Sequence, residues 1–450
     1  MNILMSFEPF LALFLVVFLI NIPLGYIRGR YRKFSLAWLF WIHASIPLIV
    51  YLRIHFDITV LSIPISIALV VWAQNIGRRY YKNKMTVTDH ERLAQIPDLR
   101  ILDHQNYTID EAKVMVVLMN MGGPKTNQDV PDFLKRVFRD PILIRFPGSR
   151  VLQSFFAWML VTFRAKKTAE RYQLIGGGSP IFESTQRQAN ALKEELKRRG
   201  RNLDTIFCFN YSDPLPNQTI EAIKSAGKRY LLPLSLYPQY SSATTGSNVH
   251  YLKQAANEIY PQLQFLSLPS YYLHDSYIQA LADRIKDEIR AGESLDDFYL
   301  IFSAHGLPLY FLLEGDPYPF QISQTVSRIL KVLNREHAWV ISYQSEVGPM
   351  EWLKPTIEGI LKALARRGQK NVLVVPVAFV SDHIETLCEV DIEYRQFALQ
   401  QGIKNFRMSK AVECHPGFIN ALADSVEKLL PGKSQAEFLS AEQLISSKQR

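Results

Sequence analysis

From residue 114 onward, short apolar runs rich in β-branched residues alternate with helix-like stretches, and no other feature restricts the fold of this chain as strongly. The runs lie at 114–121, 205–209, 230–236, 264–268, 298–303, 339–343 and 372–377, and segments such as 186–199 and 277–290 carry helical periodicity between them. Such alternation predicts parallel strands joined by crossover helices, hence an α/β fold. The span suits two halves, 114–262 and 263–430. In folds of this kind ligands gather at the carboxyl ends of the strands, where several unusual loops fall.

Three stretches without Asp, Glu, Lys or Arg precede this region, at 9–27, 34–52 and 58–76, each close to the roughly 20 residues that carry a helix across a bilayer. They are expected to form three transmembrane helices within a membrane anchor over residues 1–85. Pro23, Pro47 and Pro64 interrupt them, which membrane helices tolerate because neighbouring groups satisfy the freed carbonyls. The competing reading is a cleaved signal peptide followed by buried helices. It fits poorly: Glu8 stands where a basic region is needed, and no small-residue cleavage site follows. Arg28, Arg30, Arg32 and Lys33 follow the first stretch, and Arg78, Arg79, Lys82 and Lys84 the third; the short segment between the second and the third carries only Arg53, His55 and Asp57 as ionisable residues. Basic loops are retained on the cytoplasmic side, so the body beyond Lys84 is expected there. Residues 86–113 read as a polar linker and 431–450 as a polar tail.

The formal charge of +9 reflects 51 basic against 42 acidic residues, and nine of the bases with two of the acids fall before residue 86. The remainder is nearly neutral, so it lacks the basic face that a nucleic-acid partner requires. Cys208, Cys388 and Cys414 stand far apart with no C-x-x-C pair, which argues against structural zinc or a disulfide framework.

Two segments concentrate chemistry. FSAHGLP (302–308) puts His305 at a strand end before a Gly-Pro breaker. A neutral imidazole there can ligate a divalent metal or accept a proton, and a hydrogen-bonded loop histidine is the plain alternative. AFVSDHIETLCEVDIEY (378–394) spaces Glu385, Glu389 and Glu393 four apart, so an α-helix would stack them on one face with Asp382 and His383 at its start. Such a row repels itself unless it binds cations or shares protons; a solvated acidic face is the alternative. IGGGSP (175–180), GDPYP (315–319) and YPQYSSATTGS (237–247) punctuate the rest. IGGGSP lacks the spacing and the lysine of nucleotide loops. Tyr172, Tyr237 and Trp352, in or beside such motifs, suit either a wall for a flat aromatic ligand or the core.

Together LMNMGGP, YQLIGGGSPI, YPQYSSATTGS, FSAHGLP, GDPYP, YQSEVGPMEWL and AFVSDHIETLCEVDIEY resemble the ferrochelatase family in order and spacing over about 114–430. The resemblance implies two Rossmann-like halves with parallel sheets and a porphyrin cleft between them. It also implies insertion of Fe2+ into protoporphyrin IX to form protohaem. Matched motif by motif, His305 is implied as proton acceptor and metal ligand on one side of the macrocycle, and Glu385 as the acid opposing it. Asp382, His383, Glu389 and Glu393 are implied as a supporting acid and proton path, and Arg164, Tyr172, Ser179 and Trp352 as porphyrin contacts, with Arg164 on a propionate. Porphyrin and iron are then substrates. No tightly bound cofactor is expected, and no iron–sulfur cluster, because the tail has no cysteine. The run 142–163, with Phe155, Phe156, Trp158, Met159 and Phe163 ahead of Arg164, Lys166 and Lys167, resembles the family's lip over the site mouth, suited to dip into a bilayer; an ordinary core helix is the alternative.

The chain departs from the family pattern in its anchor, in Asn210 of FNYSDP and in Glu346 of YQSEVGP. The last two leave recognition of porphyrin side chains open. Three other readings also stay open: a chelatase for coproporphyrin, one for another metal, and a non-catalytic porphyrin- or haem-binding membrane protein. The last would need the ring-binding loops without both His305 and Glu385.

Overall fold

The computed structural model describes residues 7–31, 33, 35–56, 62–86, 109–144, 150–267, 270–347 and 350–430. Residues 87–108 of the expected linker, the turn at 57–61 and the tail at 431–450 lie outside these residues. The chain divides into two compact units, one of Met1–Ile96 with Gly306–Gly315 and Ser345–Lys354, the other of Pro97–His305, Asp316–Gln344 and Pro355–Arg450.

The larger unit carries two four-stranded parallel sheets. In the first, β1 (Val114–Asn120), β2 (Asp204–Phe209), β3 (Tyr230–Ser235) and β4 (Gln264–Phe265) run in the order β2-β1-β3-β4. In the second, β5 (Tyr299–His305), β6 (Trp339–Gln344), β7 (Asn371–Pro376) and β8 (Asn405–Met408) run in the order β6-β5-β7-β8. β1 is buried along its whole length and β5 from Leu300 to Ala304, as central parallel strands covered on both faces must be. The helices between strands are amphipathic. Ile181–Arg198, for example, buries Ile181, Ala189, Leu192 and Leu196 on one stripe.

The two sheets repeat one plan. Val114 pairs with Tyr230 in the first and Tyr299 with Val372 in the second. Carried along the chain, that correspondence sets Asn120 against His305 and Ser242 against Ile384. Ser242 and Ile384 are the first residues of two π-helical segments, Ser242–Gly246 and Ile384–Tyr394.

Two strands differ from the sequence expectation. Gln264–Phe265 pairs with β3, so the first sheet extends past residue 262. β8 carries Arg407, whose guanidinium donates to Glu293 Oε2 over 2.6 Å, so this strand has no uninterrupted apolar run.

In the smaller unit, the first and third charge-free stretches give helices Phe7–Arg28 and Ser62–Thr86. The middle stretch breaks at Ala44–Ser45 into Leu36–His43 and Ile46–His55, with Pro47 in the first turn of the second piece. Together these pieces make Leu36–His55, the one stretch among the described residues that is long and apolar enough to cross a membrane; Ala12–Arg28 is a shorter apolar helix. One buried polar group from each stretch meets at a single point. Asn21 Oδ1 accepts from Ser45 Oγ and from Gln74 Nε2, each at 2.9 Å. The first and last helices touch backbone to backbone: a Cβ on Gly77 would lie 2.0 Å from the Ile22 carbonyl oxygen. Leu15, Leu19, Phe40, Ile54, Ile67 and Trp72 remain exposed.

Candidate active site

His305 is the last residue of β5, paired in register with Gln344 at the end of β6. Glu385 stands in the first turn of the π-helix that follows β7. The segment that follows β7, the strand beside β5, therefore meets the end of β5, and His305 Nδ1 lies 2.8 Å from Glu385 Oε2. The pair is not sealed: 36% of the imidazole side chain and 22% of the carboxylate side chain are accessible. Burial alone would lower the His305 pKa, but the Glu385 charge and hydrogen bond outweigh it and raise it above the ordinary 6.5. Burial likewise works to raise Glu385, yet His305 and then His383 pull it far below the usual carboxylate range. The two shifts have one cause: each partner favours the charged form of the other. His383 Nε2 stands 3.8 Å from the same Glu385 oxygen.

The backbone around the pair is fixed by buried polar side chains. Gln344 Nε2 donates to the Glu385 carbonyl over 3.0 Å, while its Oε1 accepts from Ser303 Oγ. The Tyr318 hydroxyl, from GDPYP, hydrogen-bonds to the His305 backbone. Asp382 is joined to Thr386 Oγ1 at 3.0 Å, its amide donates to Glu413 Oε1 at 2.9 Å, and burial raises its pKa. Each such bond is worth about 1 kcal/mol, and leaving one partner buried alone costs about 1–3 kcal/mol. Gln344, Tyr318 and Glu413 were not singled out from sequence. The first two sit inside quoted motifs, but their partners lie on other elements of the fold, which motif order does not reveal.

The other two carboxylates of the acidic motif stand further along the same π-helix, not on the expected α-helix. Glu389 Oε1 accepts from Tyr394 Oη at 3.1 Å, and Glu393 Oε2 accepts from Arg171 Nη2 at 2.7 Å. Arg171 also approaches Glu389 at 3.8 Å. It lies on the helix Arg150–Gln173, which begins within the expected lip. That helix buries Ala157 and Tyr172 in an apolar cluster with Phe133, Phe138 and Tyr211 and leaves Trp158 and Phe163 exposed. Residues 145–149 and the side chains of Phe155 and Phe156 lie outside the described residues.

The expected porphyrin contacts fall in different settings. Arg164 is exposed on the helix Arg150–Gln173. Tyr172 is buried, and burial, with the Glu385 charge nearby, pushes its hydroxyl pKa up. Tyr237 shows the same two effects. Ser179 is buried where the glycine loop folds onto LMNMGGP, its amide donating to the Pro124 carbonyl at 2.8 Å. A Cβ on Gly178 would lie 2.0 Å from the Lys125 carbonyl oxygen, so this loop is a close backbone contact, not a phosphate cradle. Trp352 belongs to the smaller unit and donates from Nε1 to the Val347 carbonyl at 3.0 Å. Asn210 bonds Ser247 and Asn248, and Glu346 pairs with Lys354 at 2.7 Å.

Comparison with known proteins bears on this geometry. The sequence pattern of the Ferrochelatase family matches residues 113–430. The chain is 43% identical over 328 residues to the ferrochelatase of Thermosynechococcus vestitus, covering 72% of this chain and 84% of that one. It is 40% identical over 318 residues to the ferrochelatase of Gloeobacter violaceus, covering 70% and 97%. Among solved structures it is similar to the sirohydrochlorin chelatase SirB from Bacillus subtilis subspecies spizizenii in complex with cobalt, with a TM-score of 0.42 and 13% identity over 70% of this chain and 95% of that one. The family match over residues 113–430 and the relatives 40–43% identical, together with two parallel sheets of one plan, lead to one conclusion: the chain belongs to the ferrochelatase family, enzymes that insert a metal into porphyrin in haem biosynthesis.

Proposed function

We propose that this enzyme inserts ferrous iron into protoporphyrin IX, with His305 as the base that removes pyrrole protons and Glu385 as its charged partner. The observation that carries the reading is the 2.8 Å imidazole–carboxylate contact with a partly accessible ring. Each turnover releases two pyrrole N–H protons as iron takes the ring nitrogens. A proton accepted by neutral His305 leaves an imidazolium held by the Glu385 carboxylate, with His383 as a further group beside that carboxylate. Asp382, Glu389 and Glu393 continue that line as a path for protons or for the incoming ion. Oxygen and nitrogen donors suit an ion that must be handed on, whereas thiolates would retain it. Iron is a substrate in this scheme, and neither a resident cofactor nor an iron–sulfur cluster is invoked. Arg164, Tyr172, Ser179 and Trp352 are proposed to hold the macrocycle, Arg164 through a propionate.

The N-terminal helices are proposed as a three-pass anchor that keeps the body on the cytoplasmic side. Support comes from the three charge-free stretches, the basic residues after the first and third, and the apolar side chains exposed on those helices.

The direct test is an insertion assay on the purified chain, crossing ferrous, cobalt and zinc ions with protoporphyrin and coproporphyrin. Ferrous iron with protoporphyrin should turn over fastest, and a clear preference for coproporphyrin or cobalt replaces the substrate assignment. His305→Ala should cut insertion by about a hundredfold or more, the usual contribution of a positioned base. Porphyrin binding, followed by fluorescence titration, should survive; undiminished turnover removes His305 from the mechanism.

A further inference from the structure

Gly306–Gly315 continues from His305 at the end of β5, and Ser345–Lys354 from Gln344 at the end of β6, yet both segments belong to the compact unit of the N-terminal helices. They form a narrow ribbon. Leu309 N donates to the Glu351 carbonyl at 2.8 Å, Leu353 N to the Leu307 carbonyl at 3.0 Å, and Pro308 bridges Trp352 in antiparallel fashion. The turn that leaves the first N-terminal helix joins this ribbon. Tyr31 makes an antiparallel bridge to Met350, and Glu351 N donates to the Arg30 carbonyl at 2.8 Å. Leu307, Tyr310, Phe311 and Leu353 are buried, and the short helix Leu309–Leu313 packs on Ser62–Thr86. A basic turn beside a membrane surface has water for its backbone groups, so pairing one of its carbonyls with Glu351 marks a built contact.

We propose that the N-terminal segment is an integral part of these loops: the Arg30–Tyr31 turn docks as an added strand on the ribbon and positions Trp352 for the porphyrin. The anchor then acts on substrate binding as well as on location. The positioning half rests on the porphyrin contact proposed above for Trp352, and the experiment separates the two.

In the full-length chain, Tyr31→Cys combined with Met350→Cys should form a disulfide in most molecules on mild oxidation, detected by mass spectrometry. Antiparallel partners lie about 4.5–5.5 Å apart at Cα, inside the range a disulfide spans. Absence of the cross-link overturns the docking. Glu351→Pro removes the N–H donated to Arg30 and keeps the carbonyl that accepts from Leu309. With an unchanged melting curve, it should raise KM for porphyrin about two- to tenfold, the worth of one hydrogen bond, and leave kcat within about twofold. Trp352→Leu in parallel reports whether the ribbon meets substrate. If Trp352→Leu raises KM and Glu351→Pro changes neither constant, or lowers kcat alone, the positioning role is overturned and the Trp352 contact stands. If neither variant moves KM, the Trp352 contact fails and the positioning role with it, while the cross-link still decides the docking.

Discussion

An imidazole that is to take a proton from a pyrrole nitrogen must first be without one, and Glu385 makes that condition harder to meet. Its carboxylate, 2.8 Å away, raises the His305 pKa above 6.5 against the effect of burial. The acid limb of kcat/KM should therefore lie above pH 6.5, with insertion rising as the imidazolium deprotonates. Glu385→Gln removes the charge and leaves burial, which lowers the His305 pKa, so the acid limb should move to lower pH while the maximal rate falls. A pH–rate profile whose limb stays in place assigns that limb to another group. Linkage follows the same signs. The raised His305 pKa contributes stability that is full below the unfolded value and lost as pH climbs through the folded one, and the lowered Glu385 pKa contributes stability lost as pH falls through it. The pair is complete only between those limits. At this scale the two residues of the proposed reacting pair were legible as candidates because each stands in a punctuated motif after an apolar strand. Gln344 and Tyr318 were not, because their roles exist only through neighbours distant in sequence.

The acid motif illustrates what spacing can and cannot specify. Carboxylates four apart suit one face of an α-helix, but here they stand on a π-helix from Ile384 to Tyr394, where Glu389 and Glu393 share Arg171 and Glu385 turns to His305. Hydrogen bonds from i to i+5 leave no mark in residue order, and π segments favour functional sites, where a widened turn re-aims side chains. Arg171 is the counter-charge that makes the row tolerable, contacting Glu393 at 2.7 Å and Glu389 at 3.8 Å. Arg171→Met should destabilise the fold by about 1 kcal/mol, since these groups are partly exposed. That is a fall of about 2 °C in Tm, larger at low salt than at high salt. A melting temperature that does not respond to the substitution at low salt means that the ion pair is immaterial. Strand order was similarly half legible. Buried central strands announced themselves by apolar runs, whereas β8 hides Arg407 in an ion pair and β4 is two residues long, too short for any pattern to place it with the first sheet.

For the whole molecule, the N-terminal helices are joined by more than apolar contact. The meeting of Asn21, Ser45 and Gln74 gives each charge-free stretch a polar attachment to the others, the kind of bond that keeps its value where water is scarce. With the proposed orientation, a reporter fused after residue 85 should be active only on the cytoplasmic side and one placed at residue 57 only on the outer side; the reverse pattern discards the topology. The sheets that follow show a plan used twice, with Asn120 standing where the second half has His305 and the π-helical segment at Ser242 standing where the second half begins its own at Ile384. Asn120 spends its amide on Thr185 and on the next backbone N–H, and Ala243 follows Ser242 where Glu385 follows Ile384. The protein thus carries its own blank. Whatever the two halves share belongs to the scaffold, and what only the second half possesses, an imidazole against a carboxylate, is the part that the scaffold alone does not provide.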